Sequence, residues 1–363
     1  MKICLINHLF EPYARGGAEK VVAFMIKNYQ EAGHEVFLIT TKHRGARLRP
    51  TEASASHKNK IYYINSEFYN LHKKPISLRL IWHLKNLFDF KKFNACQKIL
   101  NEEKPDLVIT HNLIGLGFML AQAIKLSGAK HHHFLHDLQL LHPSGLMFFG
   151  KENIINTPLA RLYQKITRHL IGEPDLVISP SKWLLREHQN KKFFLGSKTE
   201  ITSLKEILSL NNGDGFAGEN SDRPDNQANH KILLFAGQLE EHKGINFLIE
   251  AFKKLALPNL RLKIAGSGNA ETRVLKLIDD DNRIQFLGHL KKESLEEELK
   301  KADFLIVPSL CYENSPAIII EAKNFGLKII ASNLGGIPEI IEPTDILFNP
   351  GDEQDLFNKI NQL

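Results

Sequence analysis

Short apolar runs alternate along the whole chain with longer stretches of helical periodicity. In the first half the runs near Lys2–Asn7, Glu35–Thr40, Lys60–Ile64, Asp106–Thr110, His131–Leu135 and Leu176–Ser179 predict strands. Helices are predicted between them, among them Ala18–Ala32, closed by Gly33, and Leu78–Glu102. The second half repeats the alternation, with strands predicted at Ile232–Ala236, Arg261–Ala265, Ile284–Leu287, Phe304–Val307 and Lys328–Ala331. Short β-rich runs separated by helices make parallel sheets covered on both faces. The expected fold class is therefore α/β, with two doubly wound Rossmann-like domains.

Two stretches break the pattern. Residues 41–59 are basic and polar without periodicity, and Asn211–His230 is rich in Asn, Asp, Gly and Ser and almost free of apolar residues. The second stretch sets the expected boundary: a first domain over residues 1–205, a linker over 206–230 and a second domain over 231–363. In such sheets ligands collect at the carboxyl ends of the strands, which places the expected site in a cleft between the domains.

The chain has 363 residues, 43% hydrophobic and 24% charged, enough for two globular cores. Its three cysteines, Cys4, Cys96 and Cys311, are odd in number and far apart, so a reducing, cytoplasmic setting is expected. The first strand is expected to begin at Lys2, with no signal peptide expected before it, and no apolar run reaches the length that spans a bilayer. The net charge of +6 is unevenly spread. Residues 1–205 carry 30 Lys and Arg against 16 Asp and Glu, a surplus of +14; residues 206–363 carry 17 against 25, or −8. The first half is expected to face something anionic, a membrane surface or a substrate. Zinc-finger spacings and RNA-recognition signatures are absent, so nucleic acid is not expected.

The most informative stretch is residues 303–322, where an apolar strand runs into a loop that ends at a helix start. Ser315 is expected to cap that helix and Pro316 to occupy its first position. Glu313 then lies just outside the N-terminus and Glu321 inside the helix, spaced to grip two polyol groups of one ligand, while the helix start offers N–H groups to an anion. Glycine turns recur at other strand ends: Gly16-Gly17 before Glu19, Gly237-Gln238 running to Lys243-Gly244, Gly266 and Gly268, and Gly335-Gly336. Lys243 suits phosphate as a compact charge. The run His131-His132-His133 looks metal-like, but neighbours on a strand point to opposite faces, and no zinc spacing is present. Asp279–Asp281 reads as a solvated turn. No metal site and no cofactor are expected. His136-Asp137, just past a strand end, is placed where site residues gather.

These motifs, in this order over nearly the whole chain, resemble glycosyltransferase family 4, retaining nucleotide-sugar enzymes of the GT-B fold. The carriers are Gly16–Lys20, Asp106–His111, His136-Asp137, Gly237 to Gly244, Gly266-x-Gly268, and Pro308–Glu321 continuing to Ser332–Glu339. The resemblance implies a second domain that binds the donor and a first that binds the acceptor. It implies donor contacts from Gly16, Gly17, Gln238, Lys243, Asn314, Ser315 and Glu321, with Glu321 on the ribose and Lys243 on the diphosphate. It implies a reaction centre of His136 and Glu313, the latter at the donor sugar. The implied activity is transfer from a nucleotide-diphosphate sugar, as co-substrate and without metal, to a glycan or lipid-linked acceptor in surface polysaccharide synthesis. Peripheral contact with an anionic membrane is expected of the basic half, although most apolar residues of Leu78–Phe93 are expected to pack on the sheet.

The chain departs from the family pattern in several places. Gln238 stands where the family usually has Arg, Lys328 where it has Pro, and the Asn-Gly turn expected near Ser203–Leu210 is missing. The chain also ends at Leu363, in a helix beginning near Asp352, where family members continue with a helix that crosses back to the first domain. A non-catalytic sugar-nucleotide-binding protein and a nucleotide-sugar epimerase of the same fold are the alternatives.

Overall fold

The structure, a computed structural model, describes residues 1–13, 16–43, 60–73, 75–209 and 230–363. Most of the basic 41–59 stretch, Lys74 and nearly all of the Asn211–His230 stretch lie outside the described residues. Contacts divide the chain into two units. The first comprises Met1–Leu146 and Asn153–Asn211, the second Met147–Glu152 and Asn212–Leu363.

In the first unit seven parallel strands form one sheet in the order β3-β2-β1-β4-β5-β6-β7. They are β1 (Lys2–Ile6), β2 (Glu35–His43), β3 (Lys60–Ser66), β4 (Leu107–Thr110), β5 (Lys130–Phe134), β6 (Leu176–Ser179) and β7 (Lys198–Ile201). The helices are α1 (Gly17–Glu31), α2 (Ile76–Leu87), α3 (Phe90–Glu103), α4 (Leu120–Ser127), α5 (Pro158–Ile171), α6 (Lys182–Asn190) and α7 (Leu204–Ser209). The central strands are continuous apolar runs because helices cover both faces; every residue of β4 is buried. The strand order reverses direction between β1 and β4, which makes the carboxyl ends of those two strands the natural crevice.

The second unit repeats the plan with six parallel strands in the order β10-β9-β8-β11-β12-β13. They are β8 (Lys231–Ala236), β9 (Leu260–Ala265), β10 (Ile284–Gly288), β11 (Phe304–Val307), β12 (Lys328–Ser332) and β13 (Ile346–Phe348). The helices are α8 (Ile245–Lys253), α9 (Glu271–Ile278), α10 (Lys292–Lys301), α11 (Ala317–Asn324) and α12 (Glu353–Ile360). One core layer gathers Leu233, Phe235, Leu262 and Ile264 with Leu248 and Phe252 of α8. The other gathers Leu234, Leu305, Val307 and Ile329 with Ile319 of α11. The reversal here lies between β8 and β11.

Several expectations change. The single helix expected over Leu78–Glu102 is two, because Phe88 turns out of the helix and Asp89 caps the next, its Oδ1 accepting from Lys92 N at 3.1 Å. The edge strands β7 and β13 were not expected; β7 is exposed throughout and carries no apolar signal. The linker expected from residue 206 starts later, since Leu204 and Ile207 are buried on the first unit as part of α7. Residues 147–152, expected in the first domain, belong to the second unit. Their backbone pairs with the loop after β11: Phe149 N donates to Leu310 O at 3.0 Å, Tyr312 N to Met147 O at 2.8 Å, and Phe148 bridges Cys311. Among the described residues no helix is long and apolar enough to cross a membrane.

Candidate functional site

In the second unit the loops after β8 and β11 are locked together at the strand reversal. Leu310 N donates to His242 O at 2.9 Å. Gly244 adopts φ +73°, and a Cβ there would overlap the Pro308 carbonyl, so only glycine lets the two backbones approach this closely. Gly266 and Gly268, after β9, meet the backbone of Gly237 and Leu239 in the same way, and Gly335 meets Glu313 O. The glycine turns of the sequence are thus places where loops touch backbone to backbone.

That packing brings Lys243 and Glu313 together. Lys243 ends a short 3-10 turn (Glu241–Lys243) just before α8, and its Nζ lies 2.7 Å from Glu313 Oε2. Ser309 Oγ donates to the other carboxylate oxygen, and Gly336 N holds the Glu313 carbonyl at 2.8 Å. Burial raises the Glu313 pKa, but Lys243 and the hydrogen bonds from Lys243 and Ser309 outweigh it and hold the carboxyl below its usual value. Burial depresses Lys243 in turn, and Glu313 more than reverses that. Both groups therefore stay charged, with the Lys243 side chain about a quarter exposed.

The helix start differs from the expected one. Pro316, extended at φ −62° and ψ 115°, is the N-cap of α11, and no side chain caps it. Ser315 lies before that position, so its hydroxyl does not reach the helix N–H groups. Instead Ser315 Oγ is buried without a partner among the described residues, as are Asn246 Oδ1 in the first turn of α8 and Ser332 Oγ at the end of β12. A buried polar atom left unpaired costs about 1–3 kcal/mol, so this end of the unit carries acceptors and donors in want of a ligand or water. Glu321 lies half-buried in the second turn of α11, and Asn314 and Gln238 sit in the two loops.

The first unit has its own candidate region at the β1–β4 reversal. His8 N donates to Asn112 O at 2.9 Å, joining the loops after those strands. A cavity of about 380 Å3 opens there, lined by His8, Arg79, His83, Asn112, Asp137 and Gln139, with others. Burial pushes the Asp137 carboxyl up to about 6, against the Gln139 N–H that its Oδ1 accepts. His136 is joined at 2.8 Å through Nε2 to His111 Nδ1, and His111 stacks on Phe134. Burial, then the neighbouring His8, carries His136 down to about 3, so the imidazole is neutral. His111 Nε2 is buried without a partner among the described residues. Gly16 and Gly17 open α1, but the Gly16 N–H already donates to Glu19 Oε2 at 2.7 Å.

The histidine run of β5 is structural. Thr110 Oγ1 sits 2.8 Å from both His131 Nε2 and His133 Nδ1. Asp280 pairs with Lys253 and Asp281 with Arg283. Among the described residues no three His, Cys, Asp or Glu side chains gather as a metal cluster. Sequence reasoning missed His8, Asn112, Gln139 and Ser309. His8, Asn112 and Ser309 follow strand ends that flank the two reversals, and Gln139 follows β5, the neighbour of β4, a positional signal that the strand assignments already contained.

Residues 15–201 match the family described as "Glycosyltransferase Family 4", and residues 218–363 match "Glycosyl transferases group 1". The chain belongs to glycosyltransferase family 4. A protein of the cps region of Klebsiella pneumoniae is 26% identical to this transferase over 98% of its chain and 91% of the relative. Two solved structures share its GT-B fold. HepE of Anabaena in complex with UDP has a TM-score of 0.68 at 19% identity, over 100% of this chain and 89% of that one. A lipopolysaccharide outer core galactosyltransferase, WaaB, has a TM-score of 0.65 at 17% identity, over 100% and 90%.

Proposed function

We propose that the protein is a retaining glycosyltransferase that moves a sugar from a nucleotide-diphosphate donor, without metal, to a glycan or lipid-linked acceptor in surface polysaccharide synthesis. We place it in the cytoplasm, peripherally at an anionic membrane. The carrying observation is the charged Lys243–Glu313 pair at the strand reversal of the second unit, set among glycine-tight loops and unpaired buried polar atoms. Breaking a sugar–phosphate bond leaves charge on the diphosphate. A fixed ammonium beside a helix N-terminus is the matching electrostatic help. In this reading Lys243, with Gln238, meets the diphosphate. Glu313, Asn314 and Ser315 meet the donor sugar, and Glu321 meets the ribose. His136, kept neutral, lines the reaction centre, and the first unit's cavity takes the acceptor.

The UDP complex of HepE and the likeness to WaaB, a lipopolysaccharide outer core galactosyltransferase, support the donor class and the product class. The test is donor hydrolysis and transfer against UDP-, GDP- and ADP-sugars, with and without EDTA. Turnover that persists in EDTA is expected. Loss on chelation with rescue by manganese or magnesium would contradict metal independence. Binding of a donor without any turnover would favour the non-catalytic reading.

A further inference from the structure

Helix α2 is turned the wrong way round for an ordinary surface helix. Its inward face carries Trp82, 6% exposed and 6.0 Å from the Phe68 ring, Asn86, whose Oδ1 accepts from Gly115 N at 2.9 Å, and buried Leu87. Arg79 and His83, one turn apart, line the cavity of the first unit. The outward face is apolar. Leu78, Ile81, Leu84 and Phe88 follow at helical spacing and are 48%, 48%, 63% and 48% exposed, and Phe90 beyond the break is 62% exposed. Single exposed leucines are commonplace. Five large apolar side chains on one helix and its end form a contiguous patch that marks an interaction site. Of the residues named here, Trp82 and Leu87 are buried as expected, and the five of the outward face are not.

Charge identifies the partner. Residues 68–88 contain no Asp or Glu. Lys85 is exposed within the outward arc, and exposed Lys91 follows it. The next acid, Asp89, is neutralised by Lys92 at 2.8 Å. An apolar stripe edged by free lysines and lacking acids suits the headgroup boundary of an anionic bilayer, where the apolar side chains enter the acyl region and the lysines reach back to phosphates.

We infer that the outward face of α2 is the surface by which the protein docks on an anionic membrane, with Arg79 and His83 of the same helix at the cavity where the head of a lipid-linked acceptor enters. The inference rests on the peripheral-membrane reading above and names the element responsible. Helix α5 provides an internal control, because Leu159 and Leu162 are 80% and 56% exposed beside Arg161 and Lys165.

The test is co-sedimentation of the full chain with vesicles of phosphatidylcholine alone or mixed with phosphatidylglycerol, at low and high salt. The wild type should partition onto the anionic vesicles at low salt. The triple variant Ile81→Gln/Leu84→Gln/Phe88→Gln should lose at least tenfold in partitioning, and Lys85→Gln/Lys91→Gln several-fold, while Leu159→Gln/Leu162→Gln binds as the wild type. Leu84→Trp should shift its emission to the blue on adding anionic vesicles, a readout that does not depend on the triple variant folding. Wild type left in the supernatant with both lipids overturns the membrane reading itself. Wild-type binding with no Leu84→Trp shift, or with loss confined to the α5 variant, overturns the assignment to α2 alone. Lipid-independent self-association abolished in the triple variant would assign the face to a second copy of the chain. Donor hydrolysis by the same variants reports separately on the transferase reading.

Discussion

Lys243 and Glu313, seventy residues apart in sequence, form an ion pair at 2.7 Å at the point where the strand order of the second unit reverses. The pair is held from behind by Ser309 and by backbone contacts that tolerate only glycine. Under the proposed function, the ammonium already fixed in place is the group offered to a ligand phosphate, and the carboxylate kept ionised by its partner is the group offered to the donor sugar.

Removing one charge should be worse than removing both. Lys243→Ala leaves the largely buried Glu313 carboxylate without its cation, and about 2–3 kcal/mol of stability should be lost, between the values for exposed and fully buried pairs. Adding Glu313→Gln should recover most of that loss without restoring nucleoside diphosphate affinity. Urea melts and calorimetry on both variants separate the two effects. Equal stability of the single and double variants would mean that the pair does not hold the loop.

Two neighbouring glycines should respond differently to alanine. Gly244→Ala puts a Cβ into the Pro308 carbonyl from a left-handed backbone and should destabilise by well over about 1 kcal/mol. Gly237 has nothing nearer to an added Cβ than the Phe235 ring at 3.9 Å, so Gly237→Ala should melt within a degree or two of the wild type. Comparable melting of the two variants would contradict the close approach.

Acid should destabilise the first unit before ordinary carboxylate titration does. Burial lowers His131 and His188 to about 4 and His136 to about 3, and pulls His111 and His133 down as well. A histidine near 6.5 when unfolded and lower when folded binds more protons unfolded. Its contribution is therefore full above pH 6.5 and is lost as the pH falls toward the folded value. For a fully buried residue such as His188 that is about 2 kcal/mol by pH 5. Asp137, raised to about 6, and Glu187, raised by burial, act in the opposite sense, but they are two groups against these five histidines. Thermal melts should fall steadily from pH 7 to pH 5. A flat or rising profile would contradict the buried neutral state.

Gln238→Arg tests whether the site is an under-charged version of the family's. A permanent cation beside the glycine turn should tighten diphosphate binding by about 1 kcal/mol, read by calorimetry. Weaker binding would mean that this loop is built around the glutamine.

Much of this architecture was legible in the sequence because its central strands are apolar runs with sharp ends. Phe304–Val307 and Leu176–Ser179 were placed at their observed bounds, and the glycine turns marked loop contacts. What escaped depends on tertiary partners. The β7 strand has no apolar signal of its own and forms by pairing with β6. Residues 147–152 join the second unit mainly by backbone hydrogen bonds that any sequence could make, with one side-chain bond from Tyr312 Oη to Glu152. Ser315 has the right chemistry for a cap but stands one residue too early, because Pro316 takes the extended cap conformation itself. The apolar residues of α2 fit a buried pattern equally well, and only the fold shows which of its faces is turned outward.

The central claim is that the carboxyl end of the second sheet binds a nucleoside diphosphate through Lys243 and Glu321. Calorimetry with UDP, GDP and ADP in EDTA, on the wild type and on folded Glu321→Ala, tests it most directly. One carboxylate accepting two ribose hydroxyls makes charge-assisted bonds of roughly 1.5–3 kcal/mol each. The wild type should therefore bind at least one of the three saturably, and Glu321→Ala should lose at least tenfold in affinity. Failure of all three to bind, or unchanged affinity in the folded variant, would contradict the account.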